Sequence, residues 1–153
     1  MTTVKRVATA RRRRPTTIRY FDTSAVVAAL AEGDEEADAS LVADGVCIGS
    51  VLTFLESSRA LARARRDGRI SAERERDLQR ALELLETRMD VVTIDAPILA
   101  RARRPFPIEP VRTLDAIHLA TAESLELHPS FLTFVTRDKR LRENAQALGY
   151  SVE

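Results

Sequence analysis

The stretch IRYFDTSAVVAAL, residues 18–30, runs apolar to Phe21, breaks at Asp22 and the small pair Thr23 and Ser24, then turns apolar again. A short β-branched and aromatic run, a hydroxyl-rich break and a longer apolar segment predict a strand feeding directly into a helix. The carboxylate at that junction needs an explanation, because an unpaired charge between two buried segments is costly.

The same alternation recurs along the chain. VCI (46–48), VVTI (91–94) and LTFVT (132–136) read as further strands, with YSV (150–152) a candidate fifth. They are continuous apolar runs rather than alternations, as expected of a parallel sheet covered on both faces. Helical patterns fill residues 24–31, 35–42, 50–66, 71–87, 97–103 and 114–125. Ser71 with Glu73 and Glu75 makes an N-cap and an acidic first turn, and Leu78, Leu82 and Leu85 supply a buried stripe. Gly68 ends the preceding helix, so the two long central helices form a hairpin. PFPIEPVRT, 105–113, holds three prolines and predicts a rigid extended loop into the next helix. Strands alternating with helices in this order predict a three-layer α/β/α sandwich around a central parallel sheet of four to five strands.

A chain of 153 residues with 44% hydrophobic content is the size of one domain and closes a single core. No stretch approaches the ~20 apolar residues that cross a bilayer, and the first residues lack the apolar run of a secretory signal. A soluble, cytoplasmic protein is expected. Cys47, the single cysteine, has no internal disulfide partner and is read as a small buried hydrophobe. Two His and one Cys argue against zinc.

The net charge of +1 conceals an asymmetry. Lys5, Arg6 and Arg11 to Arg14 place six cations and no acid in the first fourteen residues, leaving 18 Lys and Arg against 23 Asp and Glu, or −5, beyond them. Residues 1–17 are expected to be a basic extension, disordered in isolation, preceding a folded domain at 18–153. Phosphate binding or targeting is conceivable for such a segment. A solvated extension, or an upstream start, is the simpler reading.

Sheets of this type bind ligands at the carboxyl ends of their strands, which places Asp22 and Asp138 in one crevice. Asp115, in RTLDAIHLATA, opens a helix, and Glu56, in SVLTFLESSRAL, lies within one. On a helical wheel Glu56 falls roughly 100 to 140° from the centre of a Val51, Leu55, Ser58, Ala62 stripe, at the rim of the expected buried face. Taken singly, Asp22 could be an N-cap, Asp115 a partner of the helix dipole and Asp138 a turn residue. Glu56 is harder to dismiss, since a carboxylate bordering a core needs a cation. Four acids drawn together would repel, and a divalent ion resolves that repulsion. Hard oxygen ligands suit Mg²⁺ or Mn²⁺ and leave positions open for a phosphate, so phosphodiester hydrolysis is the natural chemistry. Arg112 and Arg137 adjoin two of the acids and could meet RNA phosphates, or be plain surface residues.

FDTSAVVAAL, LTFLESSRAL, RTLDAIHLATA and FVTRDKRL together resemble the PIN-domain ribonucleases, specifically the VapC-like toxins of type II toxin–antitoxin modules, over residues 18–153. The resemblance implies that Asp22, Glu56, Asp115 and Asp138 form the metal-binding, catalytic pocket. It also places Thr23, Ser24 and Thr136 beside the metal or its carboxylates, a role suited to hydroxyls. It further implies Mg²⁺- or Mn²⁺-dependent cleavage of RNA, a homodimer, and inhibition by a cognate antitoxin.

Two other residues invite chemistry. His118, three residues after Asp115, could be a general base, but a packed, hydrogen-bonded histidine is the preferred reading. Asp95, before Ala-Pro, reads as an N-cap. Rival classes fit less well. A haloacid dehalogenase-like phosphatase needs an acid where Ser24 stands, and a receiver-type domain needs a Lys after the last strand. A non-toxin PIN-like nuclease, or a non-catalytic RNA-binding scaffold, remains the alternative, and the intact four acids speak against a dead site.

Overall fold

A computed structural model describes residues 17–153, so the expectation for the basic extension falls, but for Thr17, outside the described residues. Five strands, β1 (Ile18–Phe21), β2 (Val46–Ser50), β3 (Asp90–Val92), β4 (Leu132–Val135) and β5 (Ser151–Val152), form one parallel sheet in the order β3-β2-β1-β4-β5. Seven α-helices connect them among the described residues: α1 (Thr23–Val27), α2 (Glu35–Val42), α3 (Val51–Arg66), α4 (Ala72–Arg88), α5 (Ala96–Ala102), α6 (Thr113–Glu123) and α7 (Lys139–Ala147).

The pleat of β1 explains the three layers. Successive side chains of a strand point to opposite faces. Tyr20 joins Ile48 and Phe134 in a cluster with Ile98 of α5, Leu119 of α6 and Leu141 of α7. Phe21 and Val135 join the opposite cluster, with Ala25 and Val26 of α1, Phe54 and Leu61 of α3, and Leu78 and Leu82 of α4. The expected α/β/α sandwich is thus the observed one, with all five strands present.

Central β1 pairs with β2 on one side and β4 on the other, Tyr20 opposite Ile48 and Phe134. The chain runs outward from β1 through β2 to β3, then returns across the sheet to β4. That reversal puts a crevice at the carboxyl ends of β1 and β4.

Gly68, at φ +73°, follows α3 and turns it back into α4, as its position predicted. Asp95 caps α5 by accepting the Ile98 N–H at 3.1 Å. Three expectations are corrected. The α3 stripe of Val51 and Leu55 is exposed, at 41% and 61%, and the buried face carries Leu52, Thr53, Phe54, Ser57 and Leu61. Hydroxyl groups are what hydropathy misjudged there. Thr53 completes a capping box with Ser50 and donates to the Phe21 carbonyl at 3.1 Å, so it is buried as a hydrogen-bonded group. Residues 24–31 are not one α-helix, because α1 gives way to a π-helical turn at Ala28–Glu32. Cys47 is only partly buried, its thiol pushed up by desolvation. Helix α7 had no counterpart in the pattern reading. Its sequence KRLRENAQA is so polar that Leu141, Asn144 and Ala145 alone are buried.

Candidate active site

Asp22 follows β1 directly, is buried to 2% exposure, and N-caps α1 through the Ala25 N–H at 3.1 Å. The Ser24 hydroxyl lies 2.9 Å from both of its carboxylate oxygens. Burial pushes the Asp22 carboxyl up, with the charge of His118 and these hydrogen bonds opposing.

Ser24 is the junction of the crevice. Its oxygen accepts the backbone N–H groups of Arg137, at 2.8 Å, and Asp138, at 3.1 Å, and lies 3.2 Å from the Thr136 hydroxyl. Thr136 in turn accepts the Asp138 N–H at 3.0 Å. The segment after β4 is thereby fastened to the segment after β1. Asp138 caps α7, its Oδ1 accepting the N–H groups of Arg140 and Leu141. It is a turn residue as well as a member of the crevice.

Asp115 enters from the first turn of α6. Burial raises its carboxyl first, and the neighbouring Asp138 carboxylate raises it further; His118 and Arg112 pull it down, while Asp22 adds to the rise. Asp115 therefore lies within reach of the charges of two of the other predicted acids. The Oδ2 atom of Asp115 is buried without a hydrogen-bond partner. A buried carboxylate oxygen left bare beside two other carboxylates is the environment a hard dication would satisfy.

Glu56 is held differently. Thr23 donates to its Oε2 at 2.8 Å, and His118 Nε2 lies 2.9 Å from the same atom. Burial pushes this carboxyl up, but the hydrogen bonds from His118 and Thr23 and the charges of His118 and Arg63 bring it below its ordinary value. The other ring nitrogen of His118, Nδ1, lies 2.9 Å from the Tyr20 hydroxyl. Among the described residues no three His, Cys, Asp or Glu side chains are gathered, as they stand, into a group able to hold a metal ion. Ser24 and Thr136 tie Asp22 to the backbone of Asp138, while Thr23 and His118 hold Glu56.

The two predicted cations part company. Arg112 is exposed at the start of α6, with its charge in reach of Asp115. Arg137 turns away and grips Asp34 with two hydrogen bonds, at 2.6 and 3.0 Å, with Glu36 3.6 Å distant. That grip holds the Asp34 carboxyl well below the usual range. Arg137 thus anchors the start of α2, where Asp34 also caps the helix through the Ala37 N–H. Asp34, Tyr20 and Arg63 were absent from the sequence reading. Strand parity could have found Tyr20, since it puts that residue on the face covered by α6.

The PIN domain family profile matches residues 19–147, most of the chain. The chain belongs to the PIN domain family. Its PIN domain is similar to Ribonuclease VapC35 of Mycobacterium tuberculosis, 34% identical over 137 residues, covering 87% of this chain and 93% of that protein. Among solved structures it shares its fold with M. tuberculosis VapC20, described as a sarcin–ricin loop cleaving toxin. There the TM-score is 0.60 at 18% identity, covering 86% of this chain and 95% of that one. A toxin–antitoxin complex from Klebsiella pneumoniae has the same PIN fold, with a TM-score of 0.55 at 21% identity over 80% of this chain and 88% of that one. No helix among the described residues is long and apolar enough to cross a membrane.

Proposed function

We propose that this chain is a metal-dependent endoribonuclease that hydrolyses RNA phosphodiester bonds and acts as the toxin of a toxin–antitoxin pair. The observation that carries the reading is the bare, buried Oδ2 of Asp115 within reach of the charges of Asp22 and Asp138, at the end of the sheet where parallel strands open their crevice. Similarity to a protein named a ribonuclease, over most of both chains, supports the same chemistry.

Asp22, Glu56, Asp115 and Asp138 are the residues that would hold Mg²⁺ or Mn²⁺. When bound, such an ion activates water for attack on phosphorus and offsets charge developing on the phosphodiester oxygens. The chain's own part is placement. Ser24 steadies both oxygens of Asp22, Thr136 and Ser24 fix the backbone of Asp138, and Thr23 steadies Glu56. Arg112, exposed beside Asp115, is positioned to meet a phosphate of the strand; Arg137 serves the scaffold through Asp34. A cognate antitoxin is part of the proposal, in keeping with the toxin–antitoxin complex that shares the fold, and a homodimer completes it.

Incubation of the metal-loaded protein with defined structured RNAs, a sarcin–ricin-type loop among them, tests it. Discrete cut ends that vanish in EDTA are expected. Intact RNA at all Mg²⁺ and Mn²⁺ concentrations would refute it.

A further inference from the structure

Behind the four acids runs a buried chain of hydrogen bonds, Tyr20 to His118 to Glu56, that the acids alone do not account for. His118 is 2% exposed, yet both of its ring nitrogens are engaged: Nδ1 with the hydroxyl of Tyr20 at 2.9 Å, and Nε2 with Glu56 Oε2 at 2.9 Å. Tyr20 itself is fully buried in the central strand, with 0% exposure. An ionised carboxylate only accepts, so Nε2 must carry the hydrogen that it gives to Glu56. In the neutral ring Nδ1 is then an acceptor, and the Tyr20 hydroxyl donates to it. When the ring is neutral, the order Tyr20 to His118 to Glu56 fixes its tautomer from the strand outward, and in either charge state Nε2 donates to Glu56.

The geometry points to His118 as a positioning residue: through Tyr20, it commits Glu56 Oε2 to the protein and thereby leaves Oε1 for a divalent cation. This rests on the metal-dependent reading above. Thr23 donates to the same Oε2 at 2.8 Å, and its hydroxyl lies 3.4 Å from Nε2, so one carboxylate oxygen is clasped from two sides. Among the described residues Oε1 takes part in no hydrogen bond or ion pair. Glu56 is the one predicted ligand on a long helix rather than at a strand end or helix start, and an unclasped glutamate has three rotatable bonds with which to wander. Outer partners of this kind fix the orientation of ligands and tune what they hold.

The test is Mn²⁺ binding, followed by electron paramagnetic resonance on the full chain. His118→Asn keeps a polar group near Nδ1 for Tyr20 but does not reach Glu56; His118→Gln returns an amide donor to the Nε2 position. His118→Asn should weaken Mn²⁺ binding by about 10–100-fold, the usual effect of losing such a partner, and His118→Gln should restore most of it. The Mg²⁺ concentration for half-maximal RNA cleavage should move in parallel. Circular dichroism confirms that each variant folds; if His118→Asn does not, Tyr20→Phe, which frees the tautomer, replaces it with weakening in the same direction. Wild-type affinity in a folded His118→Asn, or equal loss in both variants, overturns the inference. If Asp22→Asn weakens binding in that case, the metal-dependent reading survives alone. Absence of Mn²⁺ binding in the wild-type chain overturns both.

Discussion

Ser24 and Asp138, 114 residues apart in the chain, meet at 3.1 Å, where the backbone N–H of Asp138 donates to the Ser24 hydroxyl oxygen. The same oxygen accepts from Arg137 and sits 2.9 Å from each carboxylate oxygen of Asp22, so one small side chain ties the exits of β1 and β4 together. Ser24→Ala strips a part-buried acceptor from two backbone N–H groups. A loss of about 1–3 kcal/mol is expected in urea unfolding. Cleavage should fall by roughly 10–100-fold, as when a ligand loses its outer partner. Unchanged midpoint and rate together would contradict this.

Asp22→Asn separates folding from chemistry. Asparagine caps helices as well as aspartate, and its Oδ1 still accepts from Ala25 and Ser24. Removing a charge buried to 2% exposure should leave the thermal midpoint equal or higher. Cleavage should drop by more than roughly 100-fold, beyond the usual effect of an outer partner. A variant that still cuts at the wild-type rate in Mg²⁺ would dismiss Asp22 as a ligand.

The carboxyl shifts set a pH dependence. Asp22 and Asp115 are raised, so each holds its proton more firmly folded than unfolded. Their stabilising contribution is full below about pH 4, the ordinary Asp value, and is lost as pH rises through the raised values. Glu56 is lowered and opposes them, contributing above its ordinary value and losing that as pH falls through the folded one. At neutral pH the metal-free protein therefore carries the cost of two buried carboxylates, with repulsion from Asp138 added at Asp115, and a bound dication would offset that cost. Added Mg²⁺ should therefore raise the melting temperature more at pH 7.5 than at pH 5 in differential scanning fluorimetry. Equal gains would argue against ion binding among these acids.

The two arginines should fail differently. Arg112→Ala removes an exposed cation, so RNA affinity should weaken and the salt slope of binding fall by about 1, with thermal stability unchanged. Arg137→Ala breaks a bidentate pair with Asp34 and leaves the start of α2 unanchored. Its melting temperature should drop at low salt and drop less in 0.5 M salt, on the order of a Debye length of 4 Å. Fluorescence anisotropy with a labelled RNA and melts at two ionic strengths read both. A fall in affinity for Arg137→Ala without loss of stability would restore it as a phosphate contact.

Much of this fold is visible in the sequence because its signals are local. Phe21 followed by Asp22 marks a strand exit, and Gly68 marks a helix end, without reference to anything distant. What escaped detection depends on partners remote in the chain. Thr53 is buried because the end of β1 supplies the Phe21 carbonyl, and Ser57 is buried beside it with no hydrogen bond of its own, so a wheel drawn from hydropathy turned α3 the wrong way. Helix α7 hides because its few buried residues include Asn144, whose amide bonds the backbone of Ile108, 36 residues away. The acids of the crevice could be found one by one, but not the way they are held. His118 is the packed, hydrogen-bonded histidine that the sequence suggested, but its partners Tyr20 and Glu56 are visible only in the fold.

The rims of the sheet are stubby: β3 spans three residues and β5 two. An unpaired strand edge is a template for stray chains, and brevity is one of the ways proteins blunt it. With its longest strands shielded in the middle, the molecule offers little purchase for edge-to-edge polymerisation.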